Sequence, residues 1–246
     1  MQPFSKHFAD FTAWSAIGEF IDGIRVGRDV GPVPLDYVDA GHPGRAPKAA
    51  VALFQSVDKV IGPPAELFPH AQRLDTGRAA ADPAVKRWLE MLDRLRPFNV
   101  KGQIAGAHRY LAGVGDLAPI IQVARSLPWA GPVTRAQRND ESADAALVRY
   151  VSLRHLGIHS DRLRIVWLAD ELNDTDWVVT SILLGGQWLV LDHFHGDIAG
   201  DEVYLDAHPY FSLNAEHCWL HWRGGDDAGA EGALARLSRQ LRFGRA

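Results

Sequence analysis

An α+β fold is predicted by three features of the 246-residue chain. Apolar residues recur at helical spacing through the first half. Near Trp129 the character changes to a long helix followed by β-rich runs. Two of those runs flank a Gly185-Gly186 pair, which reads as a two-residue hairpin turn. Together they predict a mostly helical region over 1–125 and a second unit, helix first and antiparallel sheet after, over 126–246.

Element by element, Trp14 to Ile21 reads as a short helix, and the Gly-, Pro- and Asp-rich stretch from Gly27 to Pro47 as loop. Lys48 to Ile61 sets Val51, Leu53, Phe54, Val57 and Val60 near helical spacing, which predicts another helix. Asp82 is a natural N-cap with Pro83 at the first helical position, and the helix it opens runs through Trp88, Leu89, Leu92 and Leu95 to Pro97. A further helix follows through Val100, Ile104, His108 and Leu111. Asn139 to Leu156 is a long helix with Asp140 and Glu141 at its positive end and Gly157 at its C-terminal stop. Strands are expected at Leu163–Leu168, Trp177–Leu184, Trp188–Asp192, Val203–Leu205 and Cys218–Trp222, and a closing helix from Glu231 to Leu241.

Composition removes several function classes. A formal charge of −4 without basic clusters leaves no nucleic-acid footprint. No apolar run approaches the roughly 20 residues that span a bilayer. The single cysteine, Cys218, precludes an internal disulfide. The N-terminal segment MQPFSKHFADF lacks the apolar stretch of a secretory leader, so a cytoplasmic protein is expected, or a periplasmic one if a leader has been removed.

Four segments in order carry a resemblance. They are Pro128-Trp129-Ala130-Gly131-Pro132; the helix start Asp140-Glu141-Ser142-Ala143-Asp144-Ala145-Ala146 with its exit Leu156-Gly157; Trp177-Val178-Val179 with Val190-Leu191-Asp192; and Tyr210 to Asn214 followed by Trp219-Leu220-His221. In sequence and spacing they resemble the bacterial transglutaminase-like cysteine proteinases. The resemblance implies a papain-like fold whose nucleophile opens a helix while its His and Asp lie on strands.

In that alignment the positions matching the triad hold Ser142, Trp177 and Asp192. The family chemistry needs a thiolate at a helix N-terminus and a His to accept its proton. A serine can serve where a His activates it, but an indole N–H only donates. The resemblance therefore implies a catalytically degenerate member. It would hold a peptide or protein segment without cutting it, in a cleft lined by Trp129, Glu141, Asp144 and Trp177, with the Trp177 indole filling the space of the lost imidazole. A second reading keeps Ser142 as the nucleophile of a hydrolase or acyltransferase with a base from elsewhere, and a third is purely structural. His193, His155 and Cys218 are poor replacements, by strand alternation, by distance along the helix and by lack of an activating helix end, respectively. Relatives bind calcium beside the nucleophile; here Glu141 and Asp144 remain but Ala143 replaces a carboxylate, against the six to eight oxygens calcium takes. Their expected role is to face the helix N-terminus, and no cofactor is expected. The His193, His195, His217 and His221 group matches no zinc spacing.

Overall fold

The computed structural model describes residues 52–64, 81–127, 130, 133, 141–170, 172–173, 175–194, 197–224 and 227–243. The expected helix at Trp14–Ile21, the loop at Gly27–Pro47, and Trp129 lie outside them. Five helices are described: α1 Pro83–Leu95, α2 Val100–Gly113, α3 Ala118–Arg125, α4 Glu141–His155 and α5 Asp227–Phe243. Seven strands accompany them: β1 Val57–Gly62, β2 Leu163–Asp170, β3 Thr175–Leu184, β4 Gln187–Leu191, β5 Ile198–Gly200, β6 Ala207–Leu213 and β7 Cys218–Trp222. The strands form one sheet in the order β1-β7-β6-β2-β3-β4-β5, every pairing antiparallel. The fold is α+β.

The start and stop signals act locally. The Asp82 carboxylate accepts the Ala84 amide at 2.7 Å and opens α1, and Asn99 does the same for α2 through the Gly102 amide at 2.9 Å. Helix α4 ends at Gly157, whose φ of 93° is open to glycine. There the Ile158 amide reaches back to the Leu153 carbonyl at 3.1 Å, closing the terminal carbonyls in a Schellman arrangement. Gly185 and Gly186, at φ 62° and 85°, turn β3 into β4.

Helix α4 is the centre of the molecule. Thirteen of its fifteen residues are buried, polar ones included, because it lies between the sheet (β2, β3) and the layer α1–α3. A helix covered on all sides needs no apolar stripe; instead its polar side chains find internal partners. Ser152 Oγ, for example, accepts from Trp88 Nε1 at 2.9 Å and donates to the Val148 carbonyl at 2.7 Å. One apolar cluster runs from Val85 through Leu147 and Phe211 to Leu237, joining residues on both sides of the division expected near 125. A second, on the other sheet face, gathers Leu53, Phe54, Val166, Leu168, Val179, Trp188, Val190 and Ala207.

Two expectations are corrected. The helix expected over Lys48–Ile61 is, in its described part, a short 3-10 turn at Leu53–Gln55 and then strand β1. Phe54 and Gln55 adopt φ of 52° and 56°, a left-handed pair that breaks any helix. β1 then pairs with β7 across most of the chain, Val57 opposite Trp222. The strand expected at Val203–Leu205 lies earlier, at Ile198–Gly200, and is followed by a 3-10 turn at Asp201–Val203. No helix among the described residues is long and apolar enough to cross a membrane.

Candidate functional site

Ser142 is the second residue of α4 and is fully buried. Its hydroxyl oxygen accepts the backbone amide of Val178 on β3 at 3.0 Å. The reason is in the strand pairing: the β3–β4 ladder stops at Thr180 opposite Leu191, two residues short of Val178. A buried amide without an acceptor costs roughly 1–3 kcal/mol, and Ser142 supplies the acceptor. One helical turn on, the Thr180 hydroxyl donates to the Ala146 carbonyl at 2.7 Å. Two hydrogen bonds a turn apart therefore stitch the start of α4 to β3.

Alternation along β3 decides what faces this stitch. Val178 belongs to the apolar cluster that contains Ala143 and Ala146, whereas Trp177 packs against the Leu53, Phe54 and Trp188 cluster on the opposite sheet face. The expectation that the Trp177 indole fills the space beside Ser142 is thus corrected, since neighbouring strand residues point to opposite sides. Asp176 shares Val178's face of β3 with Thr180, and it is a residue the sequence reading passed over. The same alternation, applied one position earlier, would have found it.

Asp176 is well partnered. Its Oδ1 accepts from Arg236 Nε at 2.9 Å and pairs with Arg236 Nη2 at 2.6 Å. Its Oδ2 accepts from Gln240 Nε2, and from the Tyr210 hydroxyl at 3.4 Å. Arg236 and Gln240 both belong to α5, which packs on β6 and β7.

The other expected site residues scatter. Asp192, just beyond β4, is 1% exposed and accepts the Phe194 amide at 3.0 Å. Its charge also acts on the buried Arg149 guanidinium. Burial pulls that group down to about 10, and Asp192 works against the fall. Burial, with the Asp192 charge adding to it, pushes the Tyr204 phenol up to about 12. Asp144 is clamped by Arg125 of α3, with Nε on Oδ1 at 2.8 Å and Nη2 on Oδ2 at 2.7 Å. Both its oxygens are thereby turned toward a cation already present in the chain, and Glu141, at the first position of α4, is exposed. Among the described residues no three His, Cys, Asp or Glu side chains converge as a metal site.

The remaining nucleophile and base candidates are internal. Cys218 is buried and its thiol is pushed up to about 12 by burial, which keeps it protonated and unreactive at neutral pH. His221 sits between two hydroxyls, Ser212 Oγ at 2.7 Å from Nε2 and Ser56 Oγ at 3.1 Å from Nδ1. That resembles a nucleophile–base pair, but all three groups are buried, and burial, with the Arg164 charge, holds His221 down to about 3. On the outer helix layer an open depression of about 340 Å³ is lined by Asp82, Arg87, Tyr110, Asp116 and neighbours; it shares no residue with the α4–β3 stitch.

No family model matches the sequence, and no curated protein matches it. Among solved structures the chain is similar to Legionella pneumophila LapG, with 22% identity and a TM-score of 0.45 over 72% of this chain and 97% of that one. The calcium-bound and EGTA-treated forms of LapG give 0.44 and 0.46 at the same identity and coverage. At that identity and TM-score no residue role carries across.

Proposed function

We propose that the chain is a non-catalytic protein of the transglutaminase-like cysteine-proteinase type, which holds a peptide or protein segment at the α4–β3 junction without cleaving it. The observation that carries this reading is the state of Ser142. Its oxygen is buried and occupied as acceptor of the Val178 amide, and Asp176, the acidic β3 side chain on that side of the sheet, is already held by Arg236 and Gln240. A serine nucleophile needs a base within hydrogen-bond reach and a path for its oxygen to a carbonyl carbon. An oxygen fixed as acceptor inside the core serves the fold instead. Binding without cleavage asks only for shape and hydrogen-bonding groups and needs no nucleophile.

The test is chemical. The intact chain is incubated with a fluorophosphonate probe and analysed by mass spectrometry, with Ser142→Ala as control. No adduct at Ser142 is expected under native conditions; an adduct there that disappears in Ser142→Ala overturns the proposal and makes the chain a serine hydrolase.

A further inference from the structure

Helix α5 is held by an unusual balance of contacts. Of its described side chains only Ala233 and Leu237, one turn apart, are buried, while Leu234 is 51% exposed. A helix of 17 residues gains little stability of its own in water, and Ala233 and Leu237 tie it to the main apolar cluster. The specific anchor is polar: the planar Arg236 guanidinium lies on the Asp176 carboxylate and 5.7 Å from the centre of the Tyr210 ring. Carboxylate, aromatic face and phenol together form a receptor for a flat, forked cation. Asp176 is two residues before Val178, about 7 Å along the strand, so this receptor borders the α4–β3 junction.

We propose that Asp176 and Tyr210 form a recognition site for an arginine side chain of a peptide segment, and that α5 occupies it in cis through Arg236. The proposal rests on the peptide-binding reading above. A partner segment carrying arginine then binds by displacing α5, and α5 acts as a built-in competitor. Tethering gives such an occupant an effective concentration of roughly millimolar order, so a free peptide competes only as its own concentration approaches that range.

Thiol labelling tests this on the full chain. Ala233→Cys places a thiol on the underside of α5, while the native Cys218, buried in β7, is an internal clock for opening of the core. The introduced thiol is expected to label at least 10-fold faster than Cys218. Adding Arg236→Ala should accelerate labelling of the introduced thiol several-fold further and leave Cys218 unchanged. A synthetic peptide of residues 227–243 at millimolar concentration should also accelerate that labelling in the Ala233→Cys chain, and the same peptide with Arg236→Ala should not. Labelling of both thiols in step overturns the proposal, because α5 is then part of the core. Acceleration by Arg236→Ala with no peptide effect also overturns it, because the pair then anchors a helix and recognises nothing. A fluorophosphonate adduct at Ser142 would end the non-catalytic reading yet leave these labelling ratios untouched.

Discussion

Helices α4 and α5 both pack on the same face of the sheet, yet they are built on opposite principles. α4 buries thirteen of its fifteen residues and is fixed to β3 by two buried hydrogen bonds. α5 buries two of its described side chains, both in the main apolar cluster, and its Arg236 and Gln240 meet the Asp176 carboxylate. The first is an integral element whose loss means unfolding. The second is, on our proposal, a cover that a partner segment displaces. The residue that the sequence resemblance marks as a nucleophile belongs to the first kind, and this is why its hydroxyl reads as structure.

The contrast can be broken by substitution, and the largest effect belongs to α4. Leu147 is fully buried between the sheet and the outer helices, so Leu147→Ala should lower stability by about 2–5 kcal/mol in urea unfolding. Loss under about 1 kcal/mol, well below that range, would mean that α4 is not the centre of the core.

Acid is a second probe of the same core. His155 and His221 are each pulled down from about 6.5 to about 3, chiefly by burial, with a neighbouring arginine adding to it in each case. Both states are neutral above pH 6.5. Between 6.5 and 3 the unfolded chain takes up protons that the folded chain refuses, so stability falls as pH falls. The expected slope is about 1.4 kcal/mol per pH unit for each histidine, and it levels off below about pH 3. Urea midpoints measured from about pH 7 to about pH 4 should fall steadily, and His221→Gln should flatten the decline.

Ser142→Ala comes next, at about 1–3 kcal/mol, through the stranded Val178 amide. Smallest is Arg236→Ala. The Arg236 and Asp176 side chains are 24% and 9% exposed, so the loss exceeds that of a surface ion pair yet should stay below that of Leu147→Ala. A global loss as large as that of Leu147→Ala would place α5 in the core and erase the distinction.

Much of this architecture was legible in the sequence wherever the cause is local. The Asp82-Pro83 start, the Gly157 stop and the Gly185-Gly186 turn each depend on a few adjacent residues, and each is where the periodicity predicts. β1 was not legible, because its identity comes from pairing with β7 on the far side of the chain. Its apolar spacing also imitates a helix until the left-handed pair at Phe54 and Gln55 is known. The short α3 went unread although the Asp116 carboxylate accepts the Ala118 amide at 2.9 Å and a proline stands in its first turn. At the candidate site the order of the motifs located the junction, but assigning Trp177 to it overlooked the alternation that gives that face to Asp176. The pairing of Asp144 with Arg125 and of Asp176 with Arg236 joins residues that no local pattern connects.

The central claim, that the Ser142 hydroxyl is consumed in holding β3, is tested most directly by amide hydrogen exchange at Val178. In the native chain this amide should be strongly protected. In Ser142→Ala its exchange should accelerate at least about 10-fold, the equivalent of losing one buried hydrogen bond, while the amides of β2 keep their protection. Unchanged protection of Val178 in Ser142→Ala would contradict the account and free the hydroxyl for another role.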